Sequence, residues 1–184
     1  TYILSSKDLC MISHIPELVK AGLSSWKIEG RMKSIHYVAT VVKTYREALD
    51  LYWENPKSFR FRNEWLLELQ KVSDRGFTTG FYFGADPGGM TETAHQLLSS
   101  QVQFAGLVLE HQKSDLALVE QRNRFAVGDW LEVLEPEGAL YTFQVKNMYD
   151  ESGAKIEAAP HPQQKVYVEV PKVIPPYSLL RRKV

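Results

Sequence analysis

Apolar and polar positions change rhythm along the chain. Residues 1–6 open on Tyr2-Ile3-Leu4, an apolar run that predicts a short strand. Ser5, Ser6 and Asp8 then offer helix N-caps, Pro16 suits a first helical turn, and Gly22 is a natural stop. Ser25-Trp26-Lys27-Ile28-Glu29 alternates and predicts a second strand. Ser34 is placed to cap a long helix whose apolar residues Ile35, Val38, Val41, Val42, Tyr45, Leu49 and Tyr52 recur at helical spacing, with Asn55-Pro56 ending it. Two strands joined through a helix imply parallel pairing, and a parallel pair needs further strands to cover both faces. Residues 64–73, with Trp65, Leu66, Leu69 and Val72, predict one more amphipathic helix. Gly76, Gly80, Gly84 and Asp86-Pro87-Gly88-Gly89 then mark an irregular linker.

From Gln101 the texture becomes that of short strands: Val102–Glu110, Leu116–Glu120, Trp130–Leu134, Tyr141–Met148, Lys155–Ala158 and Val166–Val170. Turn signals at Lys113-Ser114-Asp115, Gly128-Asp129, Pro136-Glu137-Gly138, Asp150 to Gly153 and Pro160-His161-Pro162 separate them. This spacing predicts a closed antiparallel barrel with Val108, Leu118, Leu131, Val133, Phe143 and Val168 pointing inward. Pro171, Pro175 and Pro176 predict an extended tail, and Arg181-Arg182-Lys183 reads as a solvated end. The fold expected is therefore α+β, in three parts: a βαβα segment over 1–63, a helix and Gly-rich linker over 64–100, and a small β-barrel over 101–184.

Charge adds little. Lys/Arg and Asp/Glu balance at 22 each; residues 1–63 carry 10 against 6, a +4 excess too small on its own to argue nucleic-acid binding. No apolar run is long enough to span a bilayer, and no basic-then-apolar start reads as a signal peptide. The one cysteine, Cys10, cannot form an internal disulfide, so a reducing, cytoplasmic setting is expected. The opening at Thr1, directly in an apolar stretch, reads as a piece of a longer protein. Such a piece is expected to lack activity alone and to self-associate or repack through Tyr2, Ile3, Trp26 and Ile28.

The common catalytic signatures HExxH, GxSxG, the Walker loop and paired CxxC do not occur. His14, His36, His95, His111 and His161 are scattered over different elements. The densest polar stretch is Lys27 through Tyr37, which runs from a strand end into a helix N-terminus. In a (β/α) barrel that rim binds ligands. Glu29 is a candidate acid, base or metal ligand. Arg31 and Lys33 are candidates to hold an anion together with the free N–H groups of the helix, and Gly30 permits close approach. The alternative is that Glu29 and Arg31 pair with each other to close the strand end. His36, half a turn past Ser34, is a further catalytic candidate with Glu29, and Cys10 is placed on the same rim. Phe81-Tyr82-Phe83 reads either as a base-stacking surface or, preferentially, as a pin holding the linker to the first module.

Three stretches carry a resemblance: Ser5 through Met11, Lys27 through Ala39, and Arg75-Gly76-Phe77-Thr78-Thr79-Gly80-Phe81. Together with Phe104 to Val108 and Val119 to Phe125 they resemble peptidase family U32, the collagenase-like protease family, over nearly the whole chain. The resemblance implies an N-terminal (β/α)8-like barrel in full-length members, of which this chain would hold the last two βα units, followed by a barrel similar to domain 2 of elongation factors. It implies either peptidase activity or participation in RNA hydroxylation, of tRNA among others. Several such members are similar in carrying a 4Fe-4S cluster on four cysteines. Cys10 stands where the last ligand is expected, with the others outside this chain; the fragment itself is expected to be free of cofactor.

Three functions follow as expectations: tRNA hydroxylation by the parent protein, collagenase-like peptide hydrolysis, and a non-enzymatic barrel that docks RNA or protein. No nucleophile-and-base motif supports the second from the residues themselves. The first is preferred for the parent and a docking role for this chain.

Overall fold

The computed structural model describes residues 7–73, 75–84, 102–112 and 115–183. The chain divides into two compact units, residues 1–100 and 101–184. The opening strand expected over 1–6, the Asp86-Pro87-Gly88-Gly89 turn, His95 and Lys113-Ser114 lie outside the described residues.

Unit 1 is built from strand β1 (Asp8–Leu9), a 3-10 turn (Ile12–His14), helices α1 (Ile15–Lys20), α2 (Ile35–Glu54) and α3 (Asn63–Gln70), and strand β2 (Phe77–Thr78). β1 pairs with β2 in parallel, Asp8 opposite Phe77 and Leu9 opposite Thr78. This corrects two expectations. Residues 25–29 form no strand; Trp26 packs against the unit core while Ile28 stays 39% exposed. Asp8 is not a helix cap but part of β1, and Met11 and His14 occupy the cap positions of the following turns. The (β/α)-barrel reading of this unit goes beyond the single parallel pair seen here.

The helices follow their signals more closely. Pro16 sits in the first turn of α1, and Gly22 follows it at φ +67°, the left-handed stop that a side chain would strain. The Ser34 hydroxyl accepts the Tyr37 N–H at 3.2 Å and caps α2. α2 turns Val41, Ala48 and Tyr52 toward Ile12, Ile15, Trp65 and Leu69 in the unit core. Its face bearing Ile35, Val38 and Val42 remains 37–46% exposed. No helix among the described residues is long and apolar enough to cross a membrane.

Unit 2 contains β3 (Val102–His111), β4 (Leu116–Gln121), β5 (Phe125–Ala126), β6 (Trp130–Leu134), β7 (Tyr141–Gln144), β8 (Met148–Tyr149), β9 (Lys155–Ile156), β10 (Ala158–Ala159), β11 (Lys165–Glu169) and β12 (Leu179–Lys183). Eight of these form one antiparallel sheet in the order β7-β6-β12-β3-β4-β11-β8-β9, and β5 pairs with β10 separately. β7 and β9 end the ladder without pairing to each other among the described residues. The sheet is thus a curled half-barrel rather than the closed ring expected. Alternation places Val108, Leu131, Val133, Phe143 and Val168 in the core, as anticipated.

Leu118 is a correction. Ala117 and Val119 point inward on β4 instead, leaving Leu118 half-buried. The cause is steric: Val119 Cγ1 lies where a Cβ on Gly106 of the neighbouring strand would stand, at 2.6 Å, so a slim β-branched residue faces a bare backbone. The tail is a second correction. Leu179–Lys183 is not a solvated end but a strand between β3 and β6, and Arg181 is fully buried with its guanidinium 2.6 Å from Glu132 Oε2.

Candidate functional site

β1 and β2 run in the same direction, so the segments that leave them emerge at one end: Cys10 through His14 after β1, Thr79 through Gly84 after β2. A polar cluster is built around this strand pair. The Cys10 N–H donates to the Thr78 carbonyl at 2.9 Å, which fixes the cysteine beside the strand pair. Tyr45, reaching from α2, accepts the Met11 N–H at 2.8 Å, and its hydroxyl lies 3.8 Å from Cys10 Sγ. Asp8 accepts the Ser73 hydroxyl at 3.0 Å and has the Lys33 ammonium 4.0 Å away. Lys33 also sits over the Tyr37 ring, 5.0 Å from its centroid. Cys10, Tyr45, Asp8, Lys33 and Tyr37 therefore form one linked group.

Burial sets the chemistry of this group. Desolvation pushes the Cys10 thiol up from its ordinary value of 9.0, outweighing the hydrogen bonds from Ile12 and Tyr45 that pull it down, with the Asp8 carboxylate adding to the rise. Burial also raises Tyr45 and Tyr37, and the nearby negative charge of Cys10 or Asp8 adds to it. Cys10 is thus held as a neutral thiol at neutral pH, a poor nucleophile.

The sign for stability follows from these directions. A group whose proton is held more tightly in the folded state contributes stability that is full below its unfolded value and lost as pH rises through the folded one. Unit 1 is expected to lose thermal stability as pH climbs past 9.0, the ordinary thiol value, and Tyr45→Phe is expected to flatten that loss. Thermal midpoints measured across pH 7–11 check both; an unchanged midpoint over that range in the unsubstituted chain contradicts the assignment.

The other sequence candidates are distributed differently. Glu29 is exposed: its carboxylate accepts the Arg31 N–H at 3.3 Å and lies 3.3 Å from the Lys27 ammonium. The Arg31 backbone bond first, then Lys27, hold it below the usual carboxylate range. Its side-chain partner is Lys27 rather than the Arg31 guanidinium. Arg31 and Met32 are exposed on the same loop, and the tight passage at Gly30, where a Cβ would meet Val38 Cγ2 at 2.9 Å, brings that loop onto α2. His36 is buried on α2 at 6% exposure. The structure brings Cys10 and Lys33 into one cluster through Asp8 and Tyr37; Glu29 and Arg31 belong to the adjoining exposed loop. Asp8, Tyr45 and Ser73 are not among the sequence's site candidates, and Tyr37 only closes the polar stretch there. The helical spacing of Tyr45 marks it only as an apolar position of α2; its hydroxyl is the signal of a polar role.

No group of three His, Cys, Asp or Glu side chains able to hold a metal ion occurs among the described residues. Cys10 is the chain's only cysteine, and four thiolates are needed for the cluster considered above. The residues present do not make up that ligand set.

Residues 1–92 match Peptidase family U32, and residues 100–181 match the Peptidase family U32 C-terminal domain. The tRNA hydroxylation protein P1 of Bacillus subtilis (strain 168) is 38% identical over 182 residues, 98% of this chain and 43% of its own length. The tRNA hydroxylation protein P of Escherichia coli (strain K12) is 36% identical over 185 residues, 99% of this chain and 40% of its own. A collagenase of Porphyromonas gingivalis is 29% identical over 150 residues, 80% of this chain and 41% of its own. Among solved structures, the C-terminal domain of a U32 protein from Geobacillus thermoleovorans matches 43% of this chain and 98% of its own at 39% identity, with a TM-score of 0.42. The chain spans less than half the length of the curated relatives it matches. Both halves of the sequence carry the same assignment, and the chain belongs to peptidase family U32.

Proposed function

We propose that this chain serves a tRNA hydroxylation protein, in which the Lys27–Lys33 loop meets the phosphates of the RNA and unit 2 acts as a docking module. The observation that carries this reading is the contrast between the exposed cationic loop and the buried thiol beside it. Lys27 and Arg31 face solvent ahead of a capped 20-residue helix, an arrangement suited to a polyanion. Cys10, the most nucleophilic side chain type in the cluster, is neutral and enclosed, which suits peptide hydrolysis poorly. The tRNA hydroxylation proteins of Bacillus subtilis and Escherichia coli named above are 38% and 36% identical to this chain, against 29% for the collagenase.

The test uses the whole protein that contains this chain. Unmodified tRNA is supplied, and hydroxylated nucleoside is measured by mass spectrometry after digestion, with a collagen peptide assayed in parallel. Hydroxylation that depends on the protein, without peptide cleavage, supports the reading; cleavage without hydroxylation overturns it. Arg31→Ala is expected to weaken tRNA binding roughly tenfold and to reduce the slope of log K against log salt by about 0.7. An unchanged salt slope would remove Arg31 from the phosphate contact. The proposal extends to Cys10 as one thiolate of an iron–sulfur cluster completed by cysteines outside this chain. Cys10→Ser in the whole protein is then expected to lower bound iron, measured directly, and retained iron excludes that role.

A further inference from the structure

The basic run Arg181-Arg182-Lys183 lies within β12, and its register gives the three cations different surroundings. Residues directly opposite each other on neighbouring strands share a face of the sheet. Arg181 stands opposite Glu132 of β6 on one side and Phe104 of β3 on the other. Lys183 is two residues further along the same face, opposite Val102 of β3. Arg182 stands opposite Leu131, so the next antiparallel step brings Lys183 beside Trp130. Lys183 is exposed, and Trp130 is 58% exposed.

The face continues over β3, β4 and β11, the next strands in the sheet. The Arg122 guanidinium lies 5.9 Å from the centre of the Phe104 ring and 2.7 Å from the Glu120 carboxylate. Glu120 in turn stands opposite Lys165 of β11, which is exposed. Trp130, Lys183, Phe104, Arg122 and Lys165 therefore form one band that runs across the sheet from β6 to β11, each strand step being about 4.8 Å.

The acids of this band are already matched. Glu132 pairs with Arg181, Glu120 with Arg122, and Asp129, next to Trp130 in sequence, with Arg182. Lys183 and Lys165 form no ion pair among the described residues, so the band keeps uncompensated positive charge. Its edge is also held in shape. Arg182 donates to Gln103 Oε1 at 2.9 Å, and Gln103 donates to Asn123 Oδ1 at 3.2 Å. With the Asp129 pair, these bonds tie the end of β12 to the starts of β3 and β6. The indole and the ammonium are thus presented side by side from a fixed base.

We infer that this band of unit 2 is a docking face for single-stranded RNA, with Trp130 stacking an unpaired base and Lys183 and Lys165 meeting backbone phosphates. The inference rests on the RNA reading above and deepens it by naming the face of unit 2 that docks. An apolar partner laid over Trp130 would bury Lys183 without a counter-charge, which is costly. An acidic protein answers the lysines but offers no flat face to the indole. An RNA strand supplies both, since any unpaired base stacks on an aromatic ring while its phosphates meet the cations alongside.

The test titrates the whole protein with an unmodified tRNA transcript, read by fluorescence anisotropy at several salt concentrations. Trp130→Ala is expected to weaken binding roughly tenfold, with the salt slope unchanged because no phosphate contact is lost. Trp130→Phe keeps a ring and is expected to retain most of the affinity. Lys183→Ala with Lys165→Ala is expected to lower the slope of log K against log salt by about 1.4, or about 0.7 for each phosphate released. Thermal midpoints are expected to hold in every variant, because all three side chains are exposed. A fallen midpoint in Trp130→Ala would make the indole a packing residue and overturn the stacking role. If the lysine variant loses slope while Trp130→Ala binds as before, the face takes anions without bases, as an acidic protein would supply, and the RNA assignment is overturned. Should the unsubstituted protein bind no tRNA, the RNA reading fails and this face with it. Binding that Arg31→Ala weakens and neither unit 2 variant alters overturns the face alone.

Discussion

Replacing Arg181 with alanine is expected to lower the unfolding free energy of unit 2 by about 3–5 kcal/mol. The guanidinium is fully buried, and its Nη2 lies 2.6 Å from Glu132 Oε2, whose side chain is only 13% exposed. The two stand opposite each other on neighbouring strands, β12 and β6. Removing the cation leaves a largely desolvated carboxylate without its main counter-charge, which is where the cost arises. The pair itself need not stabilise the fold relative to apolar residues of the same shape. Arg181→Met combined with Glu132→Leu is therefore expected to recover much of the loss. Residue-resolved hydrogen exchange on the β6 and β12 amides measures both, and a loss below about 1 kcal/mol for Arg181→Ala would mean that the pair is solvated.

Phe125→Ala is expected to cost about 3–5 kcal/mol, through lost apolar contact and the cavity left behind. Phe125 is fully buried in the core of unit 2, in a two-residue strand opposite Ala159, itself buried. Ala159 fills little space, so no large neighbour stands across from the ring to close the gap. The damage is expected to extend to β10, which pairs only with β5, so the exchange of its amides should rise with the global loss. Phe125→Leu keeps much of the volume and should cost less than half as much. Denaturant midpoints of the two variants give the comparison; equal losses would show that the site depends on the ring's shape rather than its volume.

Much of unit 2 was legible because alternation is a local property. Trp130–Leu134 was read to the residue, and Leu116 and Lys165 open strands within one residue of their expected starts. What failed depended on partners far away in sequence. Leu179–Lys183 looked like a charged tail because three of its five residues are cations, and only the pairing of Arg181 with Glu132 and of Arg182 with Asp129 lets that segment enter the sheet. Ser25 to Glu29 alternates as a strand should, but β1 takes Phe77–Thr78 as its partner, and alternation without a partner makes no strand. The phase of β4 was unreadable because Leu116 and Leu118 are as apolar as Ala117 and Val119; the glycine on the next strand decides between them.

Of the candidate site, the cap at Ser34 and the cationic loop followed from residue type and spacing. The link from Cys10 to Tyr45 spans 35 residues and joins the end of a strand to the middle of a 20-residue helix. Nothing local announces such a contact. Residue type makes Lys33 an anion holder, yet one side of its charge already faces Asp8. That leaves Arg31 and Lys27 as the cations most open to solvent on this loop, with Lys27 shared by Glu29.

The position of β12 has a consequence for the order of events during synthesis. It comes last of the described strands, yet it lies between β6 and β3 and bonds to both. Until residues 179–183 emerge from the ribosome, β6-β7 and β3-β4 cannot be joined into one ladder, and the buried partner of Glu132 is missing. Unit 2 should therefore acquire its native sheet only late, in a single step once the whole unit has been extruded, rather than strand by strand. Until then β6 and β3 are two further open edges beside β7 and β9, which makes this the interval in which a chaperone would be most needed.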